Sequence, residues 1–245
     1  MRACWLTSAL LGLVVIALGG CESAPGKPGP GDVLINPEEV ADFDVLFSQN
    51  CAGCHGPNGK SGAAISLNDP VYLAIVDDAT LRRVATNGIR GTSMAPFGQS
   101  AGGMLTNKQI GIIVSGIRSR WAKPDFLRGA NPPPYVATEP GDAARGATVY
   151  ATYCSSCHGP GGKGGPKGSS IVDGSFLALL TDQELRTMVI VGRPDLGAPD
   201  WRGNVPGKPM SAQEISDVVA WLASQRVPFP GQPYPAASKP TGEAR

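Results

Sequence analysis

The sequence predicts a helical fold made of two tandem copies of one unit, and three observations carry that prediction. Landmarks recur in the same order in both halves: Asp69, Tyr72 and Leu73 match Asp173, Phe176 and Leu177, and Arg90 matches Arg193. Each half closes with an amphipathic stretch opened by a polar cap residue, Asn107–Arg120 after Thr106 and Ala212–Gln225 after Ser211. Finally, 33 Gly and 23 Pro against 6% aromatic residues leave a chain of 245 residues short of large side chains for a self-sufficient core. A filler other than side chains is then expected in each copy.

Taken in order, residues 1–20 read as a secretory signal: Arg2, an apolar run from Trp5 to Leu18, and two small residues before Cys21. No other stretch reaches transmembrane length. Residues 21–36 form a flexible tether, Pro/Gly-rich over Glu22–Asp32, and 37–128 form the first unit. Within it the stretch Ala79–Thr86, centred on Leu81, reads as a helix ended by Gly88. Residues 129–138 are a Pro-rich linker, read as a stiff spacer. The second unit, 139–228, repeats the helix at Thr181–Val189, with Leu185 and a closing Gly192, and 229–245 are a disordered tail. Lys+Arg 21 against Asp+Glu 20 leaves no basic excess, so nucleic acid is not an expected partner.

The chemistry lies in the cysteines. Cys51, Cys54, Cys154 and Cys157 form two Cys-x-x-Cys pairs, each followed at once by a histidine, His55 and His158, the only two in the chain. This spacing suits covalent haem attachment, with two thiols one helical turn apart for the two vinyl groups and the next side chain turned to the iron. A four-cysteine zinc site and a pair of thioredoxin-like motifs are the rival readings, and neither uses the histidines. Two covalently bound haem c groups are therefore expected, held by Cys51, Cys54 and His55 and by Cys154, Cys157 and His158.

On these residues each copy resembles a class I c-type cytochrome domain, and the whole resembles a bacterial di-haem cytochrome c. The resemblance covers roughly Pro37–Arg128 and Glu139–Pro228. It implies an all-α fold of two tandem cytochrome c-type domains, each wrapped around one covalently bound haem, with the first and last helices of each domain crossing. At that crossing copy two has the family's small and aromatic pair, Gly146 and Tyr150, whereas copy one has Phe43 and Phe47. Aligning Ile110 with Ile215 sets Gly116 opposite Trp221, so bulk is exchanged between the copies: Phe43 should touch Gly116, and Gly146 should touch Trp221. Leu18–Cys21, LGGC, resembles the lipobox of bacterial lipoproteins, which implies that Cys21 carries lipid; an ordinary signal peptide or an uncleaved anchor is the alternative. Pro166 resembles the proline whose carbonyl accepts a hydrogen bond from the ligand histidine.

The sixth ligand separates a carrier from a catalyst, because a filled axial position leaves no room for substrate. In copy one the segment Gly91–Gly98, GTSMAPFG, resembles the family's methionine loop, making Met94 the expected ligand; Met104 beside the helix cap is read as a hydrophobic staple. Copy two has Gly197 where Met94 should align. Met188 is read as core and Met210 as the ligand, with an open second iron as the alternative. Arg90 and Arg193 are read either as neutralisers of haem propionates or as solvated loop residues, and Trp121 and Trp201 as packing.

The expected function is a di-haem carrier passing single electrons between a quinol-oxidising complex or dehydrogenase and a downstream acceptor such as a terminal oxidase. It would sit on the periplasmic side of the envelope, lipid-anchored through Cys21, and would not be an enzyme by itself. The alternative is a peroxidase-like enzyme or gas sensor with an open second haem.

Overall fold

The computed structural model describes Gly29 and residues 35–228. The signal segment, Cys21, most of the tether and the tail lie outside the described residues. The chain divides into two compact units, Met1–Glu39 and Val40–Arg245. In the first, the described structure is a short 3-10 turn at Pro37–Glu39.

The larger unit is built from ten α-helices among the described residues, the same five in the same order twice. The first set is α1 (Phe43–Asn50), α2 (Ala52–His55), α3 (Pro70–Ile75), α4 (Asp78–Asn87) and α5 (Asn107–Trp121). The second is α6 (Ala143–Tyr153), α7 (Ser155–His158), α8 (Gly174–Ala178), α9 (Asp182–Val191) and α10 (Ala212–Ser224). No strand occurs among the described residues, only two isolated bridges. The all-α expectation holds.

Local chemistry sets the boundaries. Asp69 and Asp173, which marked the repeat in the sequence, are the N-caps of α3 and α8, and each carboxylate accepts two backbone N–H groups. The expected caps Thr106 and Ser211 both close full capping boxes, with Gln109 and Glu214 reaching back to the cap N–H. Thr181 and Glu184 form a third at α9. Gly88 and Gly192 end α4 and α9 as expected, with φ of 64° and 68°.

The crossings of first and last helices follow the predicted exchange of bulk. A Cβ added to Gly116 would lie 2.0 Å from Cδ2 of Phe43, and one added to Gly146 would lie 2.7 Å from Cβ of Trp221 and 2.1 Å from the Asp217 carbonyl oxygen. The helices approach this closely, backbone to ring at Gly116 and backbone to backbone at Gly146, only because these residues are glycine. Phe43 stacks on Phe47 at 5.5 Å and meets the edge of Trp121 at 5.7 Å; Tyr150 stacks on Trp221 at 4.4 Å. Such aromatic pairs contribute about 1 kcal/mol each beyond the area they bury.

An arginine staples each half from the outside. Arg118 of α5 pairs with Asp78 at 2.5 Å and donates to the Leu73 and Val76 carbonyls. Arg226, just beyond α10, pairs with Asp182 at 2.6 Å and donates to the Leu177 and Leu180 carbonyls.

The linker is not a free spacer. Arg186 of α9, only 2% exposed, donates to the Pro134 and Tyr135 carbonyls and to the Ser216 hydroxyl, and Gln183 also reaches the Tyr135 carbonyl. The proline run lacks N–H groups, so its carbonyls are the chain's means of docking here. One cluster of buried residues runs through both halves, from Phe43 and Tyr72 to Tyr150 and Ile215.

Candidate haem sites

The two cysteine–histidine motifs adopt one geometry. At Cys51 the helix bends, with φ −116° and ψ −36°, and its N–H reaches the Phe47 carbonyl; at Cys154 the values are −118° and −30°, and the N–H reaches Tyr150. The next turn then rises on the cysteine carbonyl: His55 N–H donates to Cys51 O at 3.0 Å, and His158 N–H donates to Cys154 O at 3.0 Å. This puts the two thiols of each pair one turn apart with the imidazole directly after the second, as the spacing predicts.

All four thiols are free. Burial pushes the Cys51 thiol up to about 12 and the Cys154 thiol up to about 11, with the second cysteine of each pair adding to the effect. Cys51 and Cys154 are thus neutral, largely buried thiols, whereas Cys54 is exposed.

Each histidine is aimed by a backbone carbonyl. Nδ1 of His55 lies 2.8 Å from the Ile65 carbonyl oxygen, and Nδ1 of His158 lies 2.9 Å from that of Ser169. A carbonyl only accepts, so Nδ1 carries the hydrogen and Nε2 keeps its lone pair for a metal. Burial lowers the His55 pKa, which favours the neutral ligand form. Pro166 was expected to accept from His158; Ser169 does so instead. The equivalent carbonyl in the first half, Ile65, shows that the acceptor is set by loop closure and not by a proline. A Cβ on Gly168 would lie 2.7 Å from His158 Nδ1, so the chain leaves this place bare to cradle the ring.

These residues fit covalent haem c on the chemistry of the donor set: two thiols one helical turn apart, and an imidazole fixed through Nδ1 with Nε2 free of the backbone. Cys51, Cys54 and His55 would hold one group, and Cys154, Cys157 and His158 a second.

The methionines separate. Met94 is half-buried in the loop after α4, its carbonyl accepting from Ile89 N–H at 2.8 Å and its own N–H donating to the Thr92 hydroxyl at 3.1 Å. The matching bond of the second half runs from Arg193 N–H to the Ala198 carbonyl at 2.9 Å. Ala198, and not Gly197, therefore takes Met94's place, and that place carries no thioether. Met210 is 2% exposed, and Asn204 Nδ2 lies 3.9 Å from its sulfur. Its N–H donates to Trp201 O as Leu105 N–H donates to Phe97 O, so it stands where Leu105 stands. Met104 is 81% exposed and staples nothing; the buried Leu105 beside the Thr106 cap packs there.

Arg90 is exposed, but Arg193 is neither solvated nor free: it pairs with Asp195 at 2.9 Å and donates to the Gly62 carbonyl. Trp121 packs on Phe43 and Phe47, and Trp201 is buried, as expected. Sequence reasoning missed Asp217. This α10 carboxylate, 5% exposed, accepts from Arg145, from the Asp142 N–H and from Gln213. Chiefly through the Arg145 hydrogen bonds its pKa falls to about 2. Its counterpart in the first half, Ile112, is apolar, so the repeat gave no signal for it.

A helical fold with two thiol–thiol–imidazole sites defines a haem-binding class of protein. The family described as cytochrome C oxidase, cbb3-type, subunit III matches residues 38–115 and again 141–222, and the chain belongs to that family. Among curated relatives, the Cbb3-type cytochrome c oxidase subunit FixP of Azorhizobium caulinodans is 31% identical over 156 residues, 60% of this chain and 49% of that protein. The chain thus spans about half that relative's length. The cytochrome bc1 complex cytochrome c subunit of Mycobacterium tuberculosis is 24% identical over 229 residues, 89% of this chain and 75% of that protein. A chain of the reducing HAO-like protein complex of Kuenenia stuttgartiensis, 18% identical, matches with a TM-score of 0.46 over 79% of this chain and 100% of its own.

Proposed function

We propose that the protein is a di-haem electron carrier, and the observation that carries this reading is the repetition of one donor geometry at His55 and His158. When bound, haem c supplies a reversible one-electron change at its iron. The chain's part is to hold each group rigidly. The thiol pairs fix its position, the carbonyls of Ile65 and Ser169 fix the imidazole tautomer, and the crossed helices with their stacked aromatics shut water out. Rigid surroundings that do not rearrange favour fast electron exchange over chemistry on a substrate.

Met94 is the sixth ligand of the first site in this reading and Met210 that of the second. The relatives are named as subunits of a cbb3-type oxidase and of a bc1 complex, which supports donors of the quinol-oxidising or dehydrogenase type and an oxidase-type acceptor. Lipid on Cys21 would anchor the protein on the periplasmic side of the envelope, as a mobile carrier or as a fixed subunit of such a complex. Ala198 in the methionine place and Met210 in a core place favour a second reading, an open second iron with peroxidase-like or gas-binding activity. A haem count with a dithionite-reduced spectrum before and after carbon monoxide decides between them. Two haems and no carbon monoxide binding support the carrier; one haem that binds it supports the open site; no covalent haem removes both.

A further inference from the structure

Resting on the haem reading, we propose that Arg193 and Asp195, in the second half, are positioning residues for the histidine ligand of the first half. They lie in the loop whose counterpart in the first half bears Met94. In place of a thioether this loop carries the Arg193–Asp195 pair, which reaches the loop after the first motif.

The contact is built and buried. Arg193 Nε and Nη2 hold the two Asp195 oxygens at 3.0 and 2.9 Å, with the side chains 13% and 11% exposed. From this pair two bonds cross to the loop after the first motif: Arg193 Nη2 donates to the Gly62 carbonyl at 2.9 Å, and Asp195 Oδ2 accepts from Ser61 N–H at 3.0 Å. Ser61 has φ +64°, the one left-handed residue other than glycine among those described. A strained backbone persists only where its surroundings over-determine it. Here the surroundings are the Asp195 carboxylate, kept ionised by Arg193. The buried Ser66 side chain lies beside the same carboxylate and helps to lower its pKa.

From the clamped residues the path to His55 is short. Gly62 sits against the Cys54 carbonyl, at which an added Cβ would lie only 2.2 Å from the oxygen. Ala64 N–H donates to that same carbonyl at 2.9 Å, and the next residue, Ile65, accepts from His55 Nδ1. The second half thus holds the loop that aims and polarises the first half's ligand. A hydrogen bond at Nδ1 makes the imidazole a stronger donor, which favours the oxidised iron. In the second half, by contrast, the loop from Gly159 to Ser169 closes on itself through Gly164 N–H to His158 O and Gly165 N–H to Gly168 O.

The test uses the holoprotein labelled with 15N-histidine, in the reduced state, where two Nδ1–H signals are expected. In Arg193→Gln and in Asp195→Asn the His55 proton should exchange with solvent several-fold faster, the His158 proton should keep its rate, and one of the two midpoint potentials should rise. Arg193→Lys, which keeps the charge but not the forked geometry, should restore the change in part. If both variants carry two haems and neither the His55 proton nor either potential moves, the proposal fails. Equal acceleration of both protons would show general loosening and would also overturn it. Absence of covalent haem in the unsubstituted protein would instead remove the underlying reading.

Discussion

The ring of Phe43 occupies the space that any side chain on Gly116 would need, its Cδ2 lying 2.0 Å from where a Cβ would be. Gly116→Ala should therefore destabilise the protein by about 2 kcal/mol through overpacking, or about 4–8 °C in Tm. Phe43→Leu should relieve part of that cost in the double variant, a non-additivity readable by calorimetry. Gly146→Ala meets the Asp217 carbonyl and not a movable ring, so it should cost more, with no single side-chain rescue.

Asp217 should make stability depend on acid. Its carboxyl titrates at about 2 in the folded chain against 3.8 in its ordinary state, so the folded protein binds the proton less readily. The stabilisation is complete above 3.8 and is lost as pH falls through about 2. Because Arg145 is more than half exposed, the gain is discounted to about 1 kcal/mol. Urea midpoints measured from pH 6 down to 2 should drop over that window, and Asp217→Asn should flatten the drop.

The two methionines should respond differently to truncation. Met94→Ala should leave folding nearly unchanged, since the side chain is only half-buried, and should create one carbon monoxide site per chain. Met210→Ala removes a side chain that is 2% exposed and should cost about 2–4 kcal/mol in either reading. If it also creates a carbon monoxide site, Met210 is the second ligand. If the unsubstituted protein already has that site, Met210 is core.

Gly168→Ala presses a methyl group onto His158 Nδ1 at 2.7 Å. The ring must tilt off the Ser169 carbonyl, so the second site should show a shifted midpoint potential or reduced haem attachment while the first is untouched. Mass spectrometry of the intact chain would count the groups attached, and a redox titration would give the shift.

What the sequence made legible was what neighbouring residues decide among themselves. The caps Thr106 and Ser211, the glycine stops and the two cysteine–histidine motifs each act within a few residues, and every one lies where the pattern placed it. The Phe43–Gly116 contact was legible because the two copies could be compared and only one exchange of volume fits. Tertiary choices were not. Arg118 and Arg226 make the same staple from positions that do not align, one inside a helix and one past its end, so an overlay of the repeats hides them. Arg193 looked like a match for Arg90 but is used by Gly62, far along the chain, and the acceptor for His158 depends on how a glycine-rich loop closes.

The docked linker means that the halves are not separable goods. A chain begun at Ala143 would contain every helix of the second half and its complete cysteine–histidine motif, yet it would strip Arg186 of the Pro134 and Tyr135 carbonyls and leave it the Ser216 hydroxyl. A residue of one copy thus depends on the seam that joins the two.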